Sequence, residues 1–518
     1  MRASQLIFQR DGSLLVTPGE GREELAALAR WCGQLRAVAA GGYIYQLTPL
    51  ALWGAAARGV TAERLLTALE RVAATAIPAA FAARVAEAIG RYGALRLESG
   101  PAGLTLTARD PSILVELGFD DGAGGVVQVA PGDEGRAKLR AAEAGWPVLD
   151  ARRPRLGQRT RFELRCEVAL RGYQQEAAAA VGNAGGGVVL LPCGAGKTVV
   201  GVAAAAAFGR ATLVLVPARA IAQQWRDAFL TLTTLAPEQV RLLERGAQPT
   251  PVSIATYQAA TSGALTGELA DYPWGLVIYD EVQSLPADGF RLAAGLQTPR
   301  RLGLTAALVR EDGRERDVFA LVGPIIYDVS WVELEGQGWI APARCYEVRT
   351  PEPPDRAAWL RYRLAVLERL LRRHTGEQVL VAGSDLASLR AAARRFGLPL
   401  ATGQTSPERR SELYDSFRRG ELPVLALSKV GSVGLDFPNA TVLIQVSGTF
   451  GSRQEEAQRL GRLLRPRPGK VASFYSIVSG PREERFARRR QRFLVEQGYS
   501  YEIVDAAQLP RGNGDPHA

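Results

Sequence analysis

Histidine is nearly absent from this 518-residue chain: His374 and His517 are the only two. That leaves little from which to build an imidazole-based metal centre. The four cysteines, Cys32, Cys166, Cys193 and Cys345, are scattered without a CxxC pair. Their spacing excludes a disulfide framework or zinc ribbon and fits a reducing, cytoplasmic setting. No apolar run approaches the ~18 residues of a membrane span, and the N-terminus lacks a signal-peptide pattern, so no membrane role is expected. Lysine is the most informative scarcity. Of 63 basic residues only Lys138, Lys197, Lys429 and Lys470 are lysines, so one in a Gly-rich loop and one at a strand end stand out from ordinary surface charge.

What is present describes a globular chain of several domains. Hydrophobic residues make up 47% and charged residues 22%, and the length suits three or four domains of ~100–200 residues. A formal charge of +10 and a pI near 9.6 point to a polyanionic partner or to a merely basic surface. Residues 1–116 read as an α+β accessory region, with helical spacing in Leu25–Arg30, Ala62–Arg71 and Phe81–Ile89, an N-cap at Thr61, and short strands at Leu95–Leu97 and Leu104–Leu106. Residues 117–168 open on a Gly/Asp-rich linker, Gly118 to Gly125, and continue as a βαβ-sized fragment with a strand at Val126–Val129 and a helix around Ala137–Ala144. The basic run from Arg152 to Arg155 that follows reads as a solvated linker or a polyanion contact. Strands and helices then alternate through residues 169–335 and again through 336–480, the pattern of two tandem parallel-sheet α/β domains with a nucleotide between them. Residues 481–518 read as a basic helix and tail: six arginines lie between Arg482 and Arg492, fit for a surface or a nucleic-acid contact.

The chemistry concentrates after the apolar strand Gly187–Leu191. Pro192 ends that strand, and Gly194 and Gly196 permit a tight loop whose backbone N–H groups turn onto a phosphate. Cys193, Gly194, Ala195 and Gly196 form the cradle, Lys197 adds charge for the β- and γ-phosphates, and the Thr198 hydroxyl is a natural Mg²⁺ ligand. The Ala-rich stretch from Val199 aims a helix N-terminus at the same anion. A second apolar strand, Leu276–Tyr279, ends in Asp280-Glu281-Val282-Gln283. Asp280 suits a water-bridged Mg²⁺ and Glu281 a general base for the attacking water. Upstream, Gln174 can donate and accept at an adenine edge, with Arg171 reaching a phosphate or the ring. Downstream, Gln458-Arg-Leu-Gly-Arg462-Leu-Leu-Arg465 places two arginines three apart on one expected helical face, where they can stabilise charge on a transferring phosphoryl group.

This set resembles a superfamily 2 helicase, and the bacterial type of the XPB family in particular, with two RecA-like domains. The segment Arg301-Leu-Gly-Leu-Thr-Ala-Ala-Leu-Val-Arg-Glu-Asp312 is similar to that family's motif III and its Arg-Glu-Asp motif. Leu427 to Asp436 resembles motif V, and Gly451 to Arg462 the approach to motif VI. The resemblance implies ATP and Mg²⁺ as cofactors, ATP-driven 3′→5′ movement on DNA in repair, and a nucleoid-associated location. It implies DNA as partner, a nuclease or other repair protein as a second one, and a damage-recognition role for residues 117–168. Asp436 joins the nucleotide-binding set. Trp225, Thr256, Tyr257, Arg310, Glu311, Asp312 and Lys429 are candidates for DNA contact, with core or surface packing as the alternative for Trp225, Thr256, Tyr257 and Lys429. Three departures stand out: Gln283 occupies the family's usual His position, Ala307 replaces the second Thr of Thr-Ala-Thr, and Thr350–Thr375 leaves room for one helix where the family has a larger thumb. An RNA helicase, or a double-stranded DNA translocase that remodels without processive unwinding, would share this fold and chemistry.

Overall fold

The computed structural model describes residues 3–39, 42–101, 103–119, 124–152, 157–184, 186–244, 246–261, 269, 271–285, 287–296, 298, 300–308, 313–428, 437–448, 453–499 and 501–509. It divides into two compact units, Met1–Leu191 with Gly196–Asp328, and Pro192–Ala195 with Val329–Ala518. Arg310, Glu311, Asp312, Lys429 and Asp436 lie outside the described residues.

The first unit begins with an antiparallel sheet that the pattern of the sequence does not announce. Strands β1 (Leu6–Phe8), β2 (Ser13–Val16), β3 (Gly33–Ala39) and β4 (Gly42–Leu47) run in the order β1-β2-β4-β3. Strands β1 and β2, at three and four residues, are too short to show alternation, and β4 ends just before the helix Pro49–Ala57. Tyr43 and Tyr45 of β4 are core residues, and Thr48 caps the helix Pro49–Ala57 by accepting from the Ala51 N–H. The expected helices are present as Arg22–Cys32, Ala62–Val72 and Ala79–Arg91.

The expected boundary at 116/117 falls inside a module. Strands β5 (Leu95–Gly100) and β6 (Gly103–Ala108) share a sheet with β7 (Val126–Val129) and β8 (Val148–Asp150), ordered β7-β6-β5-β8. Leu95, Leu97, Leu106, Leu114 and Ala141 close one apolar core beneath it. A βαβ fragment alone buries too little surface, and the upstream hairpin completes it. The expected linker therefore falls within this module, and its end is tied to β6 where Ala108 N donates to Gly125 O (2.9 Å).

The next seven strands are β9 (Gly186–Leu190), β10 (Thr212–Val216), β11 (Val240–Leu242), β12 (Val252–Thr256), β13 (Leu276–Asp280), β14 (Arg301–Thr305) and β15 (Ile325–Asp328). They form a wholly parallel sheet ordered β11-β12-β10-β13-β14-β9-β15. Strands β10, β13 and β14 are buried throughout, as expected when helices cover both faces. Lys138, Arg152 and Arg301 surround Asp150 at the meeting of this sheet with the small module, at 2.5, 2.7 and 2.9 Å. The expectation that Arg152 begins a solvated linker or polyanion contact is corrected: its side chain is 6% exposed.

The second unit repeats the architecture. Strands β16 (Ala343–Thr350), β17 (Val379–Gly383), β18 (Leu400–Ala401), β19 (Val424–Ser428), β20 (Val442–Ser447), β21 (Ala472–Ser479) and β22 (Tyr501–Asp505) form a parallel sheet ordered β18-β19-β17-β20-β21-β16-β22. The expected boundary at 480/481 is also corrected. Strand β22 pairs with β16, and the C-terminal helix Gly480–Glu496 buries Ala487, Arg490 and Leu494, so this segment completes the domain. The segment left for a thumb is the helix Arg356–Arg373. It packs on the sheet, its buried Arg363 donating to the carbonyls of Val446 and Ile477.

Candidate nucleotide site

Parallel pairing brings the chemistry to one edge of the first sheet. Strand β14 lies between β13 and β9, with Thr305 opposite Leu190 and Leu304 opposite Asp280. The phosphate loop, the acidic strand end and the motif III strand end therefore leave the sheet side by side at its carboxyl edge, where open α/β sheets bind ligands. Leu191 N donates to Thr305 O (3.0 Å), joining the start of the loop to the end of β14.

Gly194 and Gly196 have φ of 86° and 83°, a region that side chains disfavour. Lys197 begins the helix Lys197–Phe208, with Thr198 as its next residue, so both project at the helix N-terminus. A Cβ on Gly196 would lie 2.5 Å from Gln174 Nε2, so the adenine-motif amide sits against the phosphate loop. Gln174 is held there by its own turn, its Oε1 accepting from Arg171 N (3.0 Å), while Arg171 Nη1 donates to Tyr173 Oη (3.1 Å).

Asp280 is buried, and both of its carboxylate oxygens accept hydrogen bonds, Oδ2 from Trp225 Nε1 (2.7 Å) and Oδ1 from Glu281 N (3.0 Å). Burial and the adjacent Glu281 charge push its pKa up to about 6, against the opposing pull of Trp225 and Lys197. Glu281 has φ 50° and ψ 51°, the one left-handed non-glycine among the described residues. That strained conformation turns its carboxylate toward the loop, 3.7 Å from Lys197 Nζ. Gln283 Nε2 donates to Glu281 Oε2 (2.5 Å), so the amide in the family's His position grips the candidate base. Thr305 Oγ1 bridges the backbone of Ala307, donating to its O (2.9 Å) and accepting from its N (3.0 Å). The turn that follows β14 is thus closed without the second threonine hydroxyl.

The structure corrects two nucleic-acid candidates. Trp225 has no exposed surface. It lies under the phosphate-loop helix, where a Cβ on Gly201 would meet its ring at 2.4 Å, and it serves Asp280. The spacing of Ala222, Trp225 and Phe229, all buried on one helix face, carried that signal. Tyr257 is also buried, and its hydroxyl donates to Asp280 O (2.8 Å). Thr256 Oγ1 accepts from Ala259 N (3.1 Å), in the manner of a helix cap. Both aromatics support the acidic motif from beneath.

In the second unit Gln458 lies on the helix Arg453–Gly461. The expectation that Arg462 and Arg465 continue one helical face is corrected: the chain tightens after Gly461, with Leu463 N bonding Leu460 O (2.8 Å) and Arg462 N bonding Arg459 O (3.3 Å). Arg465 precedes Pro466, which disfavours the helical region for it. The same unit includes Pro192–Ala195, and there Arg465 Nη1 donates to Gly194 O (2.9 Å). A Cβ on Gly461 would meet the Cys193 Cβ at 2.2 Å, so only glycine fits this part of the motif.

Comparison with known proteins agrees with this geometry. Residues 361–514 match the model of the ERCC3/RAD25/XPB C-terminal helicase, 6–127 a helicase conserved C-terminal domain, and 167–310 the type III restriction enzyme res subunit. The chain is 42% identical to a DNA 3′-5′ helicase XPB of Mycobacterium tuberculosis, covering 98% of this chain and 99% of that one. Identity to the corresponding protein of Kineococcus radiotolerans is also 42%, over 99% of each. Among solved structures, the ATP-dependent type ISP restriction-modification enzyme LlaBIII bound to DNA superposes with a TM-score of 0.51 at 12% identity, over 68% of this chain and 32% of that one. S. cerevisiae Dbp5 bound to RNA and ADP BeF3 gives 0.50 at 14%, over 65% and 90%; these two speak for the fold alone. With identity at this level over nearly the whole length, and with the motifs gathered at one sheet edge, the chain belongs to the XPB family of helicases.

Proposed function

We propose that this helicase is a DNA translocase of 3′→5′ polarity that couples ATP hydrolysis to movement along, and opening of, duplex DNA in repair. The observation that carries the reading is the shared strand-end edge, where Lys197, Thr198, Asp280, Glu281 and Thr305 converge. Magnesium supplied with ATP would neutralise phosphate charge, and the available donors suit it: the Thr198 hydroxyl and the Asp280 carboxylate are hard oxygens. Asp280 already accepts two protein hydrogen bonds, which supports a role through the ion's water shell. Glu281, gripped by Gln283 and left-handed at its backbone, takes the proton from the attacking water. Gln174 and Arg171 read the adenine side, while Arg462 and Arg465 stabilise charge on the γ-phosphate.

A second reading, translocation on duplex DNA without processive unwinding, is favoured by one feature: the segment 350–375 folds as a sheet-packed helix rather than a thumb. A nuclease or other repair protein would then complete the reaction. The test is the ATPase rate with single-stranded DNA, duplex DNA and RNA, beside unwinding of 3′- and 5′-tailed duplexes. Stimulation by DNA with opening of the 3′-tailed duplex is expected. Stimulation by duplex DNA without opening selects the second reading, preferential stimulation by RNA selects an RNA helicase, and no stimulation by any of the three rejects them all.

A further inference from the structure

The helix Arg453–Gly461, which leads into Arg462 and Arg465, carries a carboxylate buried where few carboxylates are found. Glu456 has no exposed side-chain surface. Its Oε2 accepts from Arg490 Nε (3.3 Å) on the C-terminal helix Gly480–Glu496 and from Gln445 Nε2 (3.2 Å) on β20, and its Oε1 accepts from Tyr501 Oη (3.1 Å) on β22. Arg459, one turn on, donates to Gln445 Oε1 and to Glu455. Gln445 also donates to Ser476 Oγ on β21 (3.3 Å). Arg490 is 4% exposed and is wedged against Gly448, where an added Cβ would lie 2.4 Å from its Cζ. Glu456 thus ties the helix that precedes the candidate arginines to three other elements of the second unit, and through Gln445 to a fourth.

Fully buried ion pairs add little net stability, since removing two charges from water offsets most of their attraction; here the three partners of Glu456 instead bear on geometry, holding its helix from three sides. Here that geometry bears on Arg465, four residues beyond the end of the clamped helix and donating to Gly194 of the phosphate loop. We infer that Arg490, with Tyr501, is a positioning residue for ATP hydrolysis: through Glu456 it fixes the helix from whose end the chain turns to place Arg462 and Arg465 for the γ-phosphate. The C-terminal segment is then part of the catalytic apparatus by support. This inference rests on the reading of Arg462 and Arg465 as the phosphate-sensing arginines.

The test uses the full chain with Arg490→Met, Arg490→Lys, and the double variant Glu456→Gln/Arg490→Met, each measured for thermal midpoint and for kcat and KM of ATP. Displacement of a reacting group by about an ångström costs on the order of 100-fold in rate. Arg490→Met is therefore expected to lower kcat by roughly 10- to 100-fold with KM for ATP within about twofold, and Arg490→Lys to recover part of the loss. The double variant removes the uncompensated charge, so it should regain the thermal midpoint while kcat stays low. Recovery of both in the double variant would reduce the pair to structural support and overturn the inference, as would an unchanged kcat in Arg490→Met. If Arg490→Met does not fold, the double variant alone decides. Arg462→Ala and Arg465→Ala separate the two levels. If either loses kcat while the Arg490 variants keep it, only the positioning role fails. If both keep kcat, the arginine reading fails and the inference falls with it.

Discussion

Asp280 shows how a carboxylate with an upward-shifted pKa is kept useful. Burial and Glu281 favour its protonated form, while the Trp225 indole and Lys197 favour the charged form. With a pKa of about 6, Asp280 becomes neutral as pH falls through that value; in its proposed role it would then lose its hold on a hydrated cation, so kcat/KM for Mg-ATP should fall on the acid side of ~6. Trp225→Phe removes a donor to the charged form and should move that acid limb to higher pH; a limb that stays in place would separate the indole from Asp280 ionisation. Gln283 cannot become cationic, so it adds no second ionisation, whereas Gln283→His should add one between pH ~6 and ~7. Lys197→Ala is expected to abolish hydrolysis and weaken ATP binding. Glu281→Gln is expected to retain binding and lose turnover, and near wild-type turnover in that variant would remove Glu281 from the role of base.

Among elements, the ladder of parallel strands was legible because strands buried on both faces read as continuous apolar runs between helical patterns. Strands β9 and β13 were readable that way as Gly187–Leu191 and Leu276–Tyr279, and others as an alternation of strands and helices through residues 169–480. Short strands such as β1, β2, β11 and β15 could not, because three or four residues carry too little periodicity, whereas β3, β4 and β16 are six to eight residues long and length does not explain why they escape the pattern. The acidic motif and phosphate loop were legible as local strings; their support by Trp225 and Tyr257 was not, since that depends on packing between helices far apart in sequence. The cluster around Asp150 is another long-range feature. Lys138, Arg152 and Arg301 hold its carboxyl far below the usual carboxylate range despite burial, so its stabilisation is present above its unfolded pKa of ~3.9 and is lost as pH falls below that. Asp150→Asn removes the counter-charge shared by Arg301 and Arg152, the latter keeping Glu134 at 3.7 Å, and by Lys138, whose charged form burial and Arg301 already disfavour; it should cost about 3–5 kcal/mol, read as a lower urea midpoint at neutral pH. Because Arg301 opens β14, whose far end bonds Leu191 N, the same variant tests whether the small module stabilises the strand beside the phosphate loop.

Across the whole molecule the basic charge is carried by arginine, and the C-terminal helix shows how it is divided. Arg490 faces inward to Glu456, whereas Arg482, Arg485, Arg488 and Arg489 are exposed. Guanidinium forks suit phosphate oxygens. If this face follows a DNA backbone, replacing Arg482, Arg485 and Arg489 by Ala should weaken binding equally across sequences. It should also flatten the slope of log K against log salt by about one for each phosphate that is no longer neutralised. An unchanged slope would make the stripe ordinary solvated surface. The scarcity of lysine has a practical consequence of its own. Lys138 and Lys470 are buried, the latter donating to Pro438 O, so among the described residues Lys197 is the one lysine left partly open to solvent. Among the described residues, an amine-directed acylating reagent should therefore leave most of the surface unmarked and report chiefly on Lys197. Mass spectrometry of the peptide spanning the phosphate loop, with and without ATP, would then read nucleotide occupancy from a single ammonium group.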